Sequence, residues 1–197
     1  MNYVEPIRDI KKIDKVKRLM RKESKIKELT LFELGIKTGL RISDILALRW
    51  CDIRNDSGFK ESVSIKEKKT SKTKIFRISA QLQESLEELF EIDSPVIDMF
   101  VFRSGSNYTK NQPSAWCRQY VWQFLNDYAY RVGLREKIGT HTLRKTFGYH
   151  AYKSGVDISL LMKLFNHSSQ EITLRYIGIT QDQLDDVYIN MDKILSK

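Results

Sequence analysis

The chain has 197 residues, 41% hydrophobic and 30% charged, with 34 Lys/Arg against 25 Asp/Glu and a formal net charge of +9. That length sustains one core, and that balance excludes a disordered chain. Its longest apolar runs are a handful of residues, far short of the ~20 that span a bilayer, and MNYVEPIRDIKK has no apolar signal core, so a membrane or secreted protein is not expected and a cytoplasmic one is.

The charge is unevenly spread. Residues 1–79 carry 21 Lys/Arg and 11 Asp/Glu, net +10, whereas residues 80–197 carry 13 and 14, net −1. A basic face of this kind attracts polyanions, nucleic acid above all. Cys51 and Cys117 stand 66 positions apart, in no metal-binding pattern, and read as reduced thiols.

In chain order, Ile7, Ile10, Ile13, Val16, Leu19 and Met20 recur every three or four residues, predicting an amphipathic helix with a lysine-rich outer face. The lysines at 11, 12, 15, 17, 18, 22, 25 and 27 (position 18 being an arginine) read as a solvated face with some sequence-independent phosphate contact. A second, central helix runs from about Ile26 to Lys37, with Gly39 as its left-handed cap and Ser43 capping a short third helix, Asp44 to Leu48. Val63 and Ile65, then Phe76 and Ile78, alternate with polar residues around KEKKTSKTK, predicting a β-hairpin with a lysine-rich tip.

Ser79 caps a helix bearing Leu82, Leu86 and Leu89, and Met99 to Phe102 reads as a short edge strand. Ser114 opens a long helix with Trp116, Tyr120, Phe124 and Tyr128 on a core stripe. A helix follows Thr140 and stops near Gly155, and another covers Asp157 to Phe165, closed by Asn166. Ser168 with Glu171 makes a capping box for a short helix through Tyr176, ended by Gly178. Thr180 with Gln183 makes a second box for a final helix burying Leu184, Val187, Tyr188, Met191 and Leu195. The sum is an α+β, mainly α, single domain with a small antiparallel sheet.

His141 and Arg144 project from one helical face. His167 stands just before a helix N-terminus, where anions are welcome, and Tyr176 follows nine residues later. The segments TGLRISDILALRW (38–50), KKTSKTKIFRIS (68–79), HTLRKTFGYHAYKSG (141–155) and LFNHSSQEITLRYIG (164–178), in this order and spacing, resemble the tyrosine recombinases, or phage integrases. The resemblance implies a catalytic domain over 26–197, preceded by a basic helical extension over 1–25 in place of the family's usual N-terminal clamp domain. A clamp would then come from that helix, another protomer or an accessory protein.

Residue by residue, the resemblance puts the catalytic set on Arg41, Lys69, His141, Arg144, His167 and Tyr176, with Asp44 supporting Arg41. Tyr176 would attack a phosphate, Arg41 and Arg144 would neutralise its oxygens, His141 would take the tyrosine proton, and His167 would bond a phosphate oxygen. Lys69 would protonate the leaving oxygen, Lys72 being the alternative because it too precedes a threonine. Lys66, Lys68, Lys72, Lys74 and Lys145 are candidate DNA contacts.

The chemistry suits these residue types: two planar guanidinium forks can neutralise a phosphorane, and no acidic cluster offers two Mg²⁺ a seat, so neither metal nor cofactor is expected. A tyrosine of pKa ~10 needs activation, and cationic neighbours should lower it. The expected function is site-specific recombination of double-stranded DNA, at the nucleoid of a prokaryote or in a phage, with assembly to a dimer or tetramer through the C-terminal helix. A DNA-binding regulator or inversion-switch helper on the same fold, or a topoisomerase IB-like nicking and resealing activity, stands as the alternative. His150, six residues past Arg144, reads as structural.

Overall fold

The structure is a computed structural model that describes residues 4–69, 71–105, 114–179 and 191. α1 (Ile10–Lys22) is capped by Asp9, whose carboxylate accepts the Lys11 amide at 2.8 Å. It buries Ile13, Val16 and Met20, while Ile10 stays largely exposed. α2 (Ile26–Thr38) is buried on most sides and is the axis of the domain. Gly35 lets α7 (Thr142–Lys153) close on it, because a Cβ there would sit 2.6 Å from Leu143 Cδ1. Gly39 ends α2 in the left-handed region at φ 61°, as its position predicts.

Arg41 then caps α3 (Ile42–Ile45) by backbone alone. The expected Ser43 cap is therefore displaced: Arg41 is extended, its carbonyl accepts the Asp44 amide at 2.9 Å, and the helix restarts one residue before Ser43. α4 (Trp50–Ile53) leads into β1 (Arg54–Asn55) and β2 (Gly58–Phe59), a small antiparallel pair the sequence pattern did not announce. β3 (Ser62–Lys66) and β4 (Thr73–Arg77) form the expected hairpin, with Val63 opposite Phe76 and Ile65 opposite Lys74. Among the described residues the sheet content is thus two separate two-stranded ribbons.

α5 (Ala80–Asp93), capped by Ser79, packs on α2 through Leu82, Leu86 and Leu89. Met99–Phe102 does not join a ladder; it is fixed by an isolated bridge between Phe100 and Arg49 and by bonds from Trp50 N to Met99 O and Val101 N to Leu48 O. α6 (Arg118–Arg131) starts four residues later than Ser114. Residues 114–116 are held extended against 102–104, with Ser104 N to Ser114 O at 2.7 Å and Trp116 N to Phe102 O at 2.8 Å, and that pairing wins over helix. Trp116 nevertheless meets Tyr120 and Phe124 edge-on, as the core stripe required.

α8 (Ile158–Phe165) is closed by Asn166, as expected, in the left-handed region, while Asp157, expected as its first residue, is its cap. α9 (Gln170–Ile177) takes Ser169 rather than Ser168 as its cap, accepting the Ile172 amide. The turn through Asn166, in which His167 N bonds Met162 O, uses Ser168 as linker, so the box with Glu171 does not form. Gly148 of α7 admits Phe165 and Ile177, each 2.6 Å from where its Cβ would be, and so draws α8 and α9 onto Arg144's face.

The segment before α1 straps this corner. Val4 O accepts Lys145 Nζ, Ile7 N donates to Thr146 Oγ1 at 2.9 Å, His150 lies 2.9 Å from Ile7 O, and Arg8 donates to Gly178 O. His150 is thus the structural histidine the sequence suggested. The Thr180–Gln183 box, Leu184, Val187, Tyr188 and Leu195 lie outside the described residues, and Met191 is helical and exposed.

Candidate functional site

Four chain segments converge on one corner: the α2–α3 turn, the β3–β4 hairpin tip, the start of α7 and the α8–α9 corner. Arg144, one turn into α7, is 3% exposed. Its guanidinium donates to Gly39 O and, at 3.2 Å, to Phe165 O, and stacks 4.5 Å from the Phe165 ring centroid. Burial presses its basicity down. The two carbonyls it takes terminate α2 and α8, so one side chain ties both helix ends to the site.

Arg41 reaches the same corner from the other side and ion-pairs with the buried Glu67 at the end of β3. Asp44, expected to support Arg41, instead accepts the Lys68 amide at 3.0 Å and anchors the hairpin tip on α3. Lys69 and Lys68 are exposed. With Arg41, Arg118 and His141 they line a cavity of about 410 Å³. Four cations around one opening fit a polyanion.

His141 occupies the N-cap of α7, and its Nδ1 is 3.4 Å from the Tyr176 hydroxyl. Burial, then the charges of Arg118, Arg144, Lys145 and Lys69, hold its pKa below the usual imidazole value. His141 is therefore neutral at neutral pH and able to accept a proton. His167 is also pushed down, by burial and then by Arg144 and Arg41. Its Nδ1 lies 3.1 Å from Thr173 Oγ1, which itself donates to Ser169 O, so Nδ1 is the protonated nitrogen of that pair.

Tyr176 sits in the last turn of α9, its ring edge-on to Phe165 and His167 at 5.5 and 4.9 Å. Burial raises its pKa; the charge and hydrogen bond of Arg144, then the charge of Arg41, oppose that rise without reversing it. The expectation that cationic neighbours lower this pKa is thus corrected: desolvation wins, and the phenol keeps its proton until a base takes it.

The remaining lysines part company. Lys66 is exposed. Lys72 donates to Asn166 Oδ1 at 2.7 Å and pins the hairpin to the α8 cap. Lys145 is not a surface contact: it is 7% exposed, its ammonium donates to Val4 O at 2.7 Å and lies over the Tyr176 ring. Lys74 is turned inward beside Arg144, Glu67, Arg41 and Asp44, and burial brings its pKa down to about 8. Among the described residues, no three His, Cys, Asp or Glu side chains gather to hold a metal ion, and no helix is long and apolar enough to cross a membrane.

Three residues here escaped the sequence reading. Glu67 had a signal, being the lone acid in the tip run KEKKTSKTK. Arg118 and Thr173 had none, because their roles depend on how α6 and α9 are placed.

The phage integrase family model matches residues 10–183. A probable integrase/recombinase of Bacillus subtilis strain 168, YoeC, is 38% identical over 189 residues, covering 95% of this chain and 97% of that protein. The tyrosine recombinase XerD of Listeria monocytogenes is 25% identical over 163 residues, 83% of this chain. This chain covers about half of XerD, 54%. The crystal structure of XerA recombinase superposes with a TM-score of 0.73 at 16% identity, over 97% of this chain and 66% of that one. The XerH site-specific recombinase bound to its palindromic difH substrate gives 0.72 at 19%, over 95% and 53%. At those identities the two structures speak for the fold.

Proposed function

Because the chain belongs to the phage integrase family, we propose that it breaks and rejoins double-stranded DNA at specific sites through a 3′-phosphotyrosyl intermediate. The observation that carries this is the Tyr176 hydroxyl, 3.4 Å from a neutral His141 and hydrogen-bonded to a buried Arg144. A nucleophile, a base and a charge neutraliser meet at one point, which a DNA-binding regulator does not need.

In this reading the scissile phosphate enters the basic cavity and takes Arg41 over from Glu67. Tyr176 Oη attacks phosphorus while His141 takes the phenolic proton. The bond from phosphorus to the 5′-oxygen breaks, and Lys69 gives that oxygen its proton. The products are a 3′-phosphotyrosine and a 5′-hydroxyl. Arg41, Arg144 and His167 hold the non-bridging oxygens, where charge accumulates in the transition state. The Tyr176 phenolate is itself a good leaving group, so a 5′-hydroxyl from another strand, giving its proton to Lys69, attacks phosphorus, the bond to Tyr176 Oη breaks as His141 returns its proton, and the DNA is resealed. Asp44 acts by holding the tip that carries Lys69.

The finer proposals are that the protein acts at the nucleoid and assembles as a dimer or tetramer on paired sites, residues 182–197 docking on a neighbouring copy. Exposed Leu160 and Leu164 of α8 and Ile172 of α9 give such a segment apolar surface to meet. An accessory protein would complete the grip on the far side of the duplex. The test is a nicked suicide substrate carrying repeats from the host element. A denaturing gel should show a covalent adduct with the wild type and none with Tyr176→Phe; a wild type that binds these sites yet never forms the adduct favours the regulator instead.

A further inference from the structure

Lys74 has no task in the mechanism above, and its surroundings do not explain it as a surface lysine. It stands in β4 opposite Ile65. The ammonium nitrogen is shut off from solvent and has no hydrogen-bond partner among the described residues. The charged groups facing it are Arg144 from α7, Glu67 from the hairpin, Arg41 from the α2–α3 turn and Asp44 from α3. Of the two acids facing it, Glu67 is paired with Arg41, while Asp44 gives Oδ1 to the Lys68 amide and keeps Oδ2 buried without a partner among the described residues, so neither carboxylate hydrogen-bonds the ammonium. A buried cation beside two guanidiniums, without an acceptor, is a costly arrangement that a fold keeps only for a reason.

We infer that Lys74 is a third phosphate ligand of the catalytic centre, its ammonium taking a non-bridging oxygen of the scissile phosphate alongside Arg41 and Arg144. The inference rests on the recombinase reading and adds to it a residue within the reaction centre. Burial and the two arginines keep the free ammonium easily deprotonated, with a pKa of about 8. An anion entering the site opposes that effect and favours the charged form. Phosphate binding then draws a proton onto Lys74, and in alkaline solution this uptake becomes a condition of cleavage.

The experiment measures covalent adduct formation on the suicide substrate from pH 6.5 to 10, at subsaturating DNA, for the wild type, Lys74→Met and Lys74→Arg. Lys74→Met should cleave on the order of 10²-fold more slowly, as expected for losing a transition-state donor. It should melt no lower than the wild type, because it removes a buried charge without an acceptor. Lys74→Arg should recover most of the rate and lose the decline that the wild type shows above pH 8. A methylphosphonate at the scissile position, which lacks one charged oxygen, should bring Lys74→Met and wild-type rates together for the stereoisomer that places the methyl toward Lys74.

Lys74→Met cleaving as fast as the wild type would overturn the inference. So would slow cleavage by both variants with an unchanged alkaline limb and no convergence on either methylphosphonate stereoisomer, because that outcome marks a packing role. Should the wild type itself form no adduct while binding its sites, the recombinase reading fails first and this inference with it, a result separable from the other two.

Discussion

Arg144 and Lys69 serve the same proposed phosphate from opposite mechanical settings. Arg144 is 3% exposed, spans the ends of α2 and α8, and lies on a helix whose neighbours close in through Gly35 and Gly148. Lys69 is exposed at the tip of a two-stranded ribbon, a structure that is marginal by itself, held here by Asp44 and Lys72. In the proposed mechanism, charge neutralisation is thus built into the core, and proton delivery hangs from it. Substitutions in the first region should harm folding and chemistry together, whereas substitutions in the second should harm chemistry alone.

The largest effect should come from Tyr176→Phe, which belongs to the buried side. Adduct formation should vanish, non-covalent DNA binding should hold within a few-fold, and the fold should lose only about 1 kcal/mol, the worth of one buried hydroxyl. A covalent adduct from this variant, seen on a denaturing gel, would remove Tyr176 from the role.

Arg144→Ala should come next and should show both penalties. Cleavage should slow by on the order of 10²-fold or more. The orphaned Gly39 and Phe165 carbonyls should cost about 2–4 kcal/mol in chemical denaturation. A variant that cleaves poorly but unfolds at the wild-type midpoint would break the comparison, since Arg144 would then be a catalytic cation without a structural share.

Lys69→Ala tests the other side. Its cleavage rate should fall about 10²–10⁴-fold, as for loss of a general acid. Its stability should stay within about 0.5 kcal/mol, because nothing in the core depends on this side chain. A 5′-bridging phosphorothiolate, whose sulfur leaves without a proton, should restore Lys69→Ala and leave Arg41→Ala slow. If Lys72→Ala is the variant restored, the acid sits three residues further along the tip, despite its bond to Asn166.

The same contrast decides what the sequence made legible. Gly39, the hairpin strands, Ser79, Asn166 and Gly178 were readable because each rests on local chemistry: a left-handed cap, a period of two, a side chain bonding its own helix start. Ser43, Ser114 and Ser168 misplaced their helix starts by one to four residues: pairing of 114–116 with 102–104 outweighed the Ser114 cap, and neighbouring local turns, at Arg41 and through Asn166, displaced the other two. At the site, the order of motifs placed Arg41, His141, Arg144, His167 and Tyr176 on one corner. It did not by itself say which lysine turns inward. The alternation that turns Val63, Ile65, Phe76 and Ile78 inward continues to Glu67 and Lys74, a signal not followed past the apolar residues, whereas Lys69 lies beyond the paired strands and stays exposed. The sign of the Tyr176 shift was hidden for a similar reason, since burial is a property of the packed corner and charge is a property of the string.

The smallest effect concerns pH and the stability of the buried side. His141 and His167 both have folded pKa values below their ordinary one, chiefly through burial. A group depressed in the folded state is protonated first in the unfolded chain. Acidification through about 6.5, the unfolded value, therefore favours unfolding, and the loss continues until the folded values are reached. Glu23 and Glu33 are also depressed, but they begin to lose stability only below the ordinary carboxylate range, which leaves pH 5.5–6.5 to the histidines. The melting temperature should thus slip only slightly from pH 8 to 7, where folded Lys74 takes up its proton, and fall by roughly 2–4 °C between 7 and 5.5, the scale of about 1 kcal/mol for a domain of this size. His141→Asn should flatten the slope in part and the double variant with His167→Asn further, while Lys69→Ala should leave it untouched. A melting temperature that rises on acidification would mean that the histidines gain charge on folding, as they would if an anion already held the corner together.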